Sequence, residues 1–105
     1  MNVFDFNQDD IKKCIAENRL VLVEFMVDNC WLCKIGLISL KRLASYFGDK
    51  VVVGKIDIDD ATQYKIDLEI KTTPMMVLFK DGFPVFKISG VRPTGQISDR
   101  INEFI

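Results

Sequence analysis

Cys30 and Cys33 enclose a dipeptide, Trp31-Leu32, and two thiols at this spacing can exchange electrons as a dithiol and disulfide or contribute to a metal site. The spacing alone is weak evidence, and placement adds to it. The pair follows the near-continuous apolar run 20–26, which reads as a central buried strand. It opens the stretch 31–47, which contains no proline and repeats Cys33, Leu37, Leu40, Ala44 and Phe47 at steps of three and four, as a helix would. At a helix start, unpaired N–H groups and the macrodipole stabilise a thiolate, so Cys30 is expected to be the attacking sulfur with a lowered pKa. Cys33, one turn inside, is expected to be the buried resolving thiol, on the same side of the helix so that a disulfide closes with little backbone movement.

Metal binding is the competing use of the pair. A closed zinc or iron–sulfur site takes about four ligands, and a chain without histidine adds only the distant Cys14, so that reading requires a dimer. Asp57, Asp59 and Asp60 alternate at a strand end, where solvated carboxylates are the commoner outcome, and no metal site is assigned. The absence of histidine also removes Cys-His dyads and Ser-His-Asp triads. The chemistry therefore rests on cysteine, carboxylate and lysine.

The 105 residues suit a single domain over 1–105, with 49% hydrophobic and 28% charged side chains, enough for a core without disulfide staples. An odd count of three cysteines favours a reducing, cytoplasmic setting over a paired extracellular framework, and Cys14 reads as a small buried packing residue. Fourteen basic against fifteen acidic side chains give no footprint for nucleic acid. The acidic N-terminus does not read as an export signal, and no apolar run approaches the ~20 residues of a membrane span.

The elements that position the pair follow from local patterns. Residues 3–6 read as a short edge strand, and Asn7 as the N-cap of a helix over 8–18 carrying Ile11, Cys14 and Ile15. A strand over 51–58 and a helix over 60–69 precede Lys71-Thr72-Thr73-Pro74. Strands over 75–80 and 84–89 flank Asp81-Gly82-Phe83, which has hairpin chemistry. Pro93 suits the first turn of a last helix with Ile97, Ile101, Phe104 and Ile105 on one face. The order βαβαβαββα predicts an α/β fold, a central mixed sheet with helices on both faces.

Over nearly the whole chain the sequence resembles the thioredoxin family. The resemblance is carried by Val23-Glu24-Phe25-Met26-Val27-Asp28-Asn29-Cys30-Trp31-Leu32-Cys33-Lys34, by Lys55-Ile56-Asp57-Ile58-Asp59, by Thr73-Pro74 with the strand 75–80, and by Gly90. It implies the thioredoxin fold and protein-disulfide oxidoreductase activity through a redox-active Cys30–Cys33 disulfide, without a bound cofactor. By the same resemblance Glu24 stands where the family has a buried aspartate assisting proton transfer to the resolving thiol, and Lys55 where a lysine pairs with that acid. Pro74 should be cis, bringing Thr73 alongside Cys30, with a docking rim of Asn29, Trp31, Ile58, Thr73, Gly90 and Val91. The implied partners are disulfide-containing proteins and a separate thioredoxin-reductase-type electron donor, acting on a monomer. An oxidant or isomerase of the same fold and a non-catalytic peptide-binding module are the alternatives.

The sequence departs from the family around the cysteines. Trp31-Leu32 replaces the usual Gly-Pro, Asn29 a usual tryptophan, and Ile38 a common helix proline. Leu32 restores a backbone N–H that favours the Cys30 thiolate, whereas Trp31 sheds water and disfavours it. About 30 mV corresponds to ~1.4 kcal/mol for this two-electron couple, about what one charge-assisted hydrogen bond supplies, so one altered donor can move the protein from reductant towards oxidant.

Overall fold

The computed structural model describes residues 2–105. In chain order its elements are β1 (Phe4–Asp5), α1 (Gln8–Glu17), β2 (Leu20–Met26), α2 (Trp31–Phe47), β3 (Val52–Asp57), α3 (Thr62–Asp67), β4 (Met75–Lys80), β5 (Phe83–Ser89) and α4 (Thr94–Asn102), with 3₁₀ turns at Gly48–Lys50 and Ile58–Asp60. The expected order holds. The strands form one mixed sheet, β1-β3-β2-β4-β5, in which β3 pairs parallel with β1 and β2, and β4 antiparallel with β2 and β5.

Period-two alternation along the strands distributes their side chains between two cores. Leu20 and Leu22 of β2 join Met76 and Leu78 of β4 against Leu40, Leu43 and Phe47 of α2 and Ile97 and Ile101 of α4. Val21, Val23 and Phe25 face the other way, with Val77 and Phe79, onto Ile11 and Ile15 of α1. Central β2 is thus covered on both sides, which accounts for its lack of a polar face. Among the described residues, no helix is long and apolar enough to cross a membrane.

Local chemistry sets the element ends. Asn7 Oδ1 accepts from the N–H groups of Asp9 (2.9 Å) and Asp10 (3.0 Å), while Asp10 accepts from Asn7 N–H at 2.6 Å, a reciprocal cap that starts α1. Asp81 and Gly82, at φ 51° and 89°, make a two-residue turn, so Phe83 opens β5 instead of belonging to the loop. Pro93 is the N-cap of α4, so the helix begins at Thr94, one residue later than expected, because the Pro93 ψ of 137° is still extended. Ile105 lies beyond the helix end and is 46% exposed, so it leaves the face shared by Ile97 and Ile101. Cys14 is only half-buried and lines a surface groove with Phe4, Phe6 and Val52, a correction to its expected burial. Burial pushes its thiol up in pKa, against a long hydrogen bond from Asn18 at 3.6 Å.

Candidate active site

The chain leaves β2 through Asp28 and Asn29, and Asn29 takes φ 59° to turn towards α2. Asparagine is among the few side chains that tolerate this left-handed region. Cys30 follows in extended conformation as the N-cap of α2, and its sulfur accepts a hydrogen bond from the Cys33 N–H at 3.1 Å. Cys30 and Cys33 are joined in a disulfide with a Cα separation of 5.2 Å. Cys30 is half-buried, while Cys33 has 3% of its surface exposed.

Glu24 lies beneath the pair. It continues the alternation of Leu20 and Leu22, so it points at α2 from a strand position that would ordinarily carry a third aliphatic side chain. It is 1% exposed, and its Oε1 has no hydrogen-bond partner among the described residues. Loss of water disfavours the charged form, and burial pushes the Glu24 carboxyl up to about 7, with the positive charge of Lys55 acting in the opposite direction. A cavity of about 210 Å³ is lined by Glu24, Cys30, Cys33, Lys34 and Lys55 together with residues of the β2–α2 loop.

Lys55 is the neighbour of Glu24 in the β2/β3 register, yet its ion pair is with Asp5, at 3.6 Å. Asp5 is its neighbour on the opposite strand, β1, so one ammonium stands between two carboxyl groups. The expected direct pairing with Glu24 is therefore replaced by a longer-range influence. The sequence offers no sign of Asp5, because a two-residue strand carries no pattern from which to read register.

The other expected site residues fall into groups. Thr73-Pro74 is a cis peptide, Pro74 is buried, and its carbonyl accepts from Gly90 N–H at 2.9 Å, which ties the loop before β4 to the end of β5. Thr73, Gly90 and Val91 are half-buried, and Asn29 and Trp31 are exposed, Trp31 by 73%. Ile58 departs from the expected rim, since at 6% exposure it packs in the core with Phe25 and Ile56. Leu32 and Ile38 extend the exposed apolar surface along α2. Asp57 is occupied in accepting from Asp59 N–H at 2.9 Å.

The thioredoxin family model matches residues 2–103. A thioredoxin of Mycolicibacterium smegmatis is 38% identical over 80 residues, covering 74% of this chain and 71% of that protein. A thioredoxin of Staphylococcus saprophyticus is 29% identical over 105 residues, covering 100% of this chain and 97% of that protein. Thioredoxin-T of Drosophila melanogaster is 33% identical over 78 residues, which span 72% of this chain and half, 50%, of that protein's length. Among solved structures, a thioredoxin of Plasmodium falciparum shares the fold at a TM-score of 0.85 and 22% identity, covering 98% of this chain and 100% of that one.

Proposed function

This chain belongs to the thioredoxin family, a thiol-disulfide oxidoreductase by kinship and by its cysteine pair, and from that premise we propose that it works as a protein-disulfide reductase. The observation that carries the reading is the Cys30–Cys33 disulfide at the start of α2, with the less buried cysteine at the N-cap and the other on the buried face of the helix. In the reduced protein the Cys30 thiolate attacks one sulfur of a substrate disulfide, forming a mixed disulfide and expelling the other substrate sulfur as a thiolate, which takes up a proton. Cys33 loses its proton and attacks Cys30 Sγ, closing the Cys30–Cys33 bond and releasing the second substrate thiolate. Two electrons pass to the substrate, and the oxidised state described above is the product.

Glu24 is the proposed acceptor of the Cys33 proton. A carboxyl titrating at about 7 is ionised in part at neutral pH, so it can take that proton and later return it. The cavity shared by Glu24 and Cys33 supports transfer directly or through a water it has room for. Lys55 tunes this acid from a distance. The rim of Asn29, Trp31, Thr73, Gly90 and Val91, with cis Pro74 behind it, suits an extended peptide of a disulfide-containing protein. Ile58 contributes from below, as packing. By family kinship a thioredoxin-reductase-type donor would return the electrons, in the cytoplasm where thiols are kept reduced.

The direction of exchange is tested by the redox equilibrium of the pair in graded thiol/disulfide buffers, followed through the fluorescence of Trp31. A midpoint near about −270 mV is expected for a reductant. A midpoint above about −200 mV would make the protein an oxidant or isomerase, and no reversible two-electron transition would leave a peptide-binding module.

A further inference from the structure

Gly36 occupies the interior of α2, where glycine is a poorer choice than alanine for helix stability. It is not among the glycines with positive φ, so the backbone does not demand it. The reason lies opposite, on β2. A Cβ at position 36 would overlap Glu24 Oε1 and lie 3.1 Å from its Cδ and 3.7 Å from its Oε2, and these carboxyl atoms are the three nearest it would meet. The Glu24 side chain reaches that point because it shares a strand face with Leu20 and Leu22. An aspartate there, one methylene shorter, would stop short of the helix.

We propose that Gly36 is a positioning residue: it leaves open the seat of the Glu24 carboxyl between β2 and α2, so that positions 24 and 36 form a matched pair in which the longer acid requires a helix residue without a side chain. The inference rests on the proton-transfer role given to Glu24 above. A methyl group at position 36 would drive the carboxyl towards the cavity it lines. There it meets Lys55 of β3, itself paired with Asp5 of β1, and Lys34 of α2, which favour the ionised form. Asp28 of the loop opposes them, the cysteines are neutral as a disulfide, and Met76 of β4 carries no charge. The displaced carboxyl therefore titrates lower than in the native seat.

A cycle of Gly36→Ala, Glu24→Asp and the double variant tests the pairing. Carbon NMR of the side-chain carboxyl at position 24 is read in each oxidised protein, alongside thermal stability and dithiothreitol-driven insulin reduction. In the native background Gly36→Ala should lower the carboxyl midpoint by about one pH unit or more and carry the pH profile of reduction down with it, while gaining less stability than the better helix former alone would give. In the Glu24→Asp background the same change should leave the carboxyl midpoint and the pH profile unmoved and raise stability by the full helix-forming gain, because the shorter acid does not reach the added methyl. Equal changes in stability in both backgrounds, or an unmoved carboxyl midpoint after Gly36→Ala, would overturn the proposal. If Gly36→Ala fails to fold, folding of the double variant upholds the pairing and its failure refutes it. The two readings separate cleanly. A Glu24→Gln variant with native rate and pH profile defeats the proton-transfer role alone, whereas the titration and stability cycle of the oxidised proteins needs no turnover.

Discussion

Glu24→Gln should gain stability relative to the native oxidised protein as the pH rises from about 4.5 to about 7. The substitution keeps the size and shape of a side chain that is 1% exposed and removes its ionisation. In the unfolded chain the carboxyl ionises near its ordinary value of 4.5, whereas in the folded protein burial holds it protonated up to about 7. Because the folded pKa is the higher of the two, its favourable contribution is complete below about 4.5 and is lost as the pH climbs through about 7. At 1.36 kcal/mol per unit, that gap limits the loss to roughly 3 kcal/mol, a large share of the ~5–15 kcal/mol that holds a small domain together. The amide at position 24 adds a cost of its own, but one independent of pH. Urea unfolding of both oxidised proteins between about pH 4 and pH 8.5 should therefore show their stability difference moving in favour of Glu24→Gln by roughly 3 kcal/mol, most of it between pH 4.5 and 7. A difference that stays flat across that window would refute the burial argument.

Lys55→Met should raise the Glu24 carboxyl midpoint above its native position, and Asp5→Asn should lower it by freeing the Lys55 ammonium from its 3.6 Å partner; carboxyl NMR of the oxidised variants reads both signs. If the two substitutions move the midpoint in the same direction, Lys55 is not shared between the acids. Gly54→Ala should cost about 1–3 kcal/mol in urea unfolding, since a Cβ on β3 would overlap the Phe6 ring and lie 2.8 Å from the Phe4 carbonyl oxygen. A neutral result would mean that β1 is free to move away from the sheet.

Features governed by periodicity are legible in the amino-acid sequence. The faces of β2 and α2, the order of the elements and the position of the cysteine pair at a strand-to-helix junction all follow from spacing along the chain. The cis Thr73-Pro74 peptide and the acid at position 24 are legible through family resemblance. What escapes depends on contacts across elements. Asp5 meets Lys55 through the parallel β1/β3 register, which two residues cannot announce. Ile58 reads as a rim residue, yet the 3₁₀ turn after β3 rotates it into the core. Counting helical turns carries the face of α4 on to Ile105, past the point where the helix ends. Gly36 and Glu24 are each conspicuous alone, a glycine inside a helix and an acid in an apolar strand, and only their juxtaposition explains both.

If Cys30 attacks and Cys33 resolves, single-cysteine variants separate the two roles. Each variant, Cys33→Ser and Cys30→Ser, is incubated with a disulfide-bonded protein substrate, quenched with acid and analysed by mass spectrometry. A stable mixed disulfide is expected through Cys30 in the Cys33→Ser protein, and essentially none through Cys33 in the Cys30→Ser protein. Equal trapping through either cysteine, or trapping through Cys33 alone, would contradict those roles.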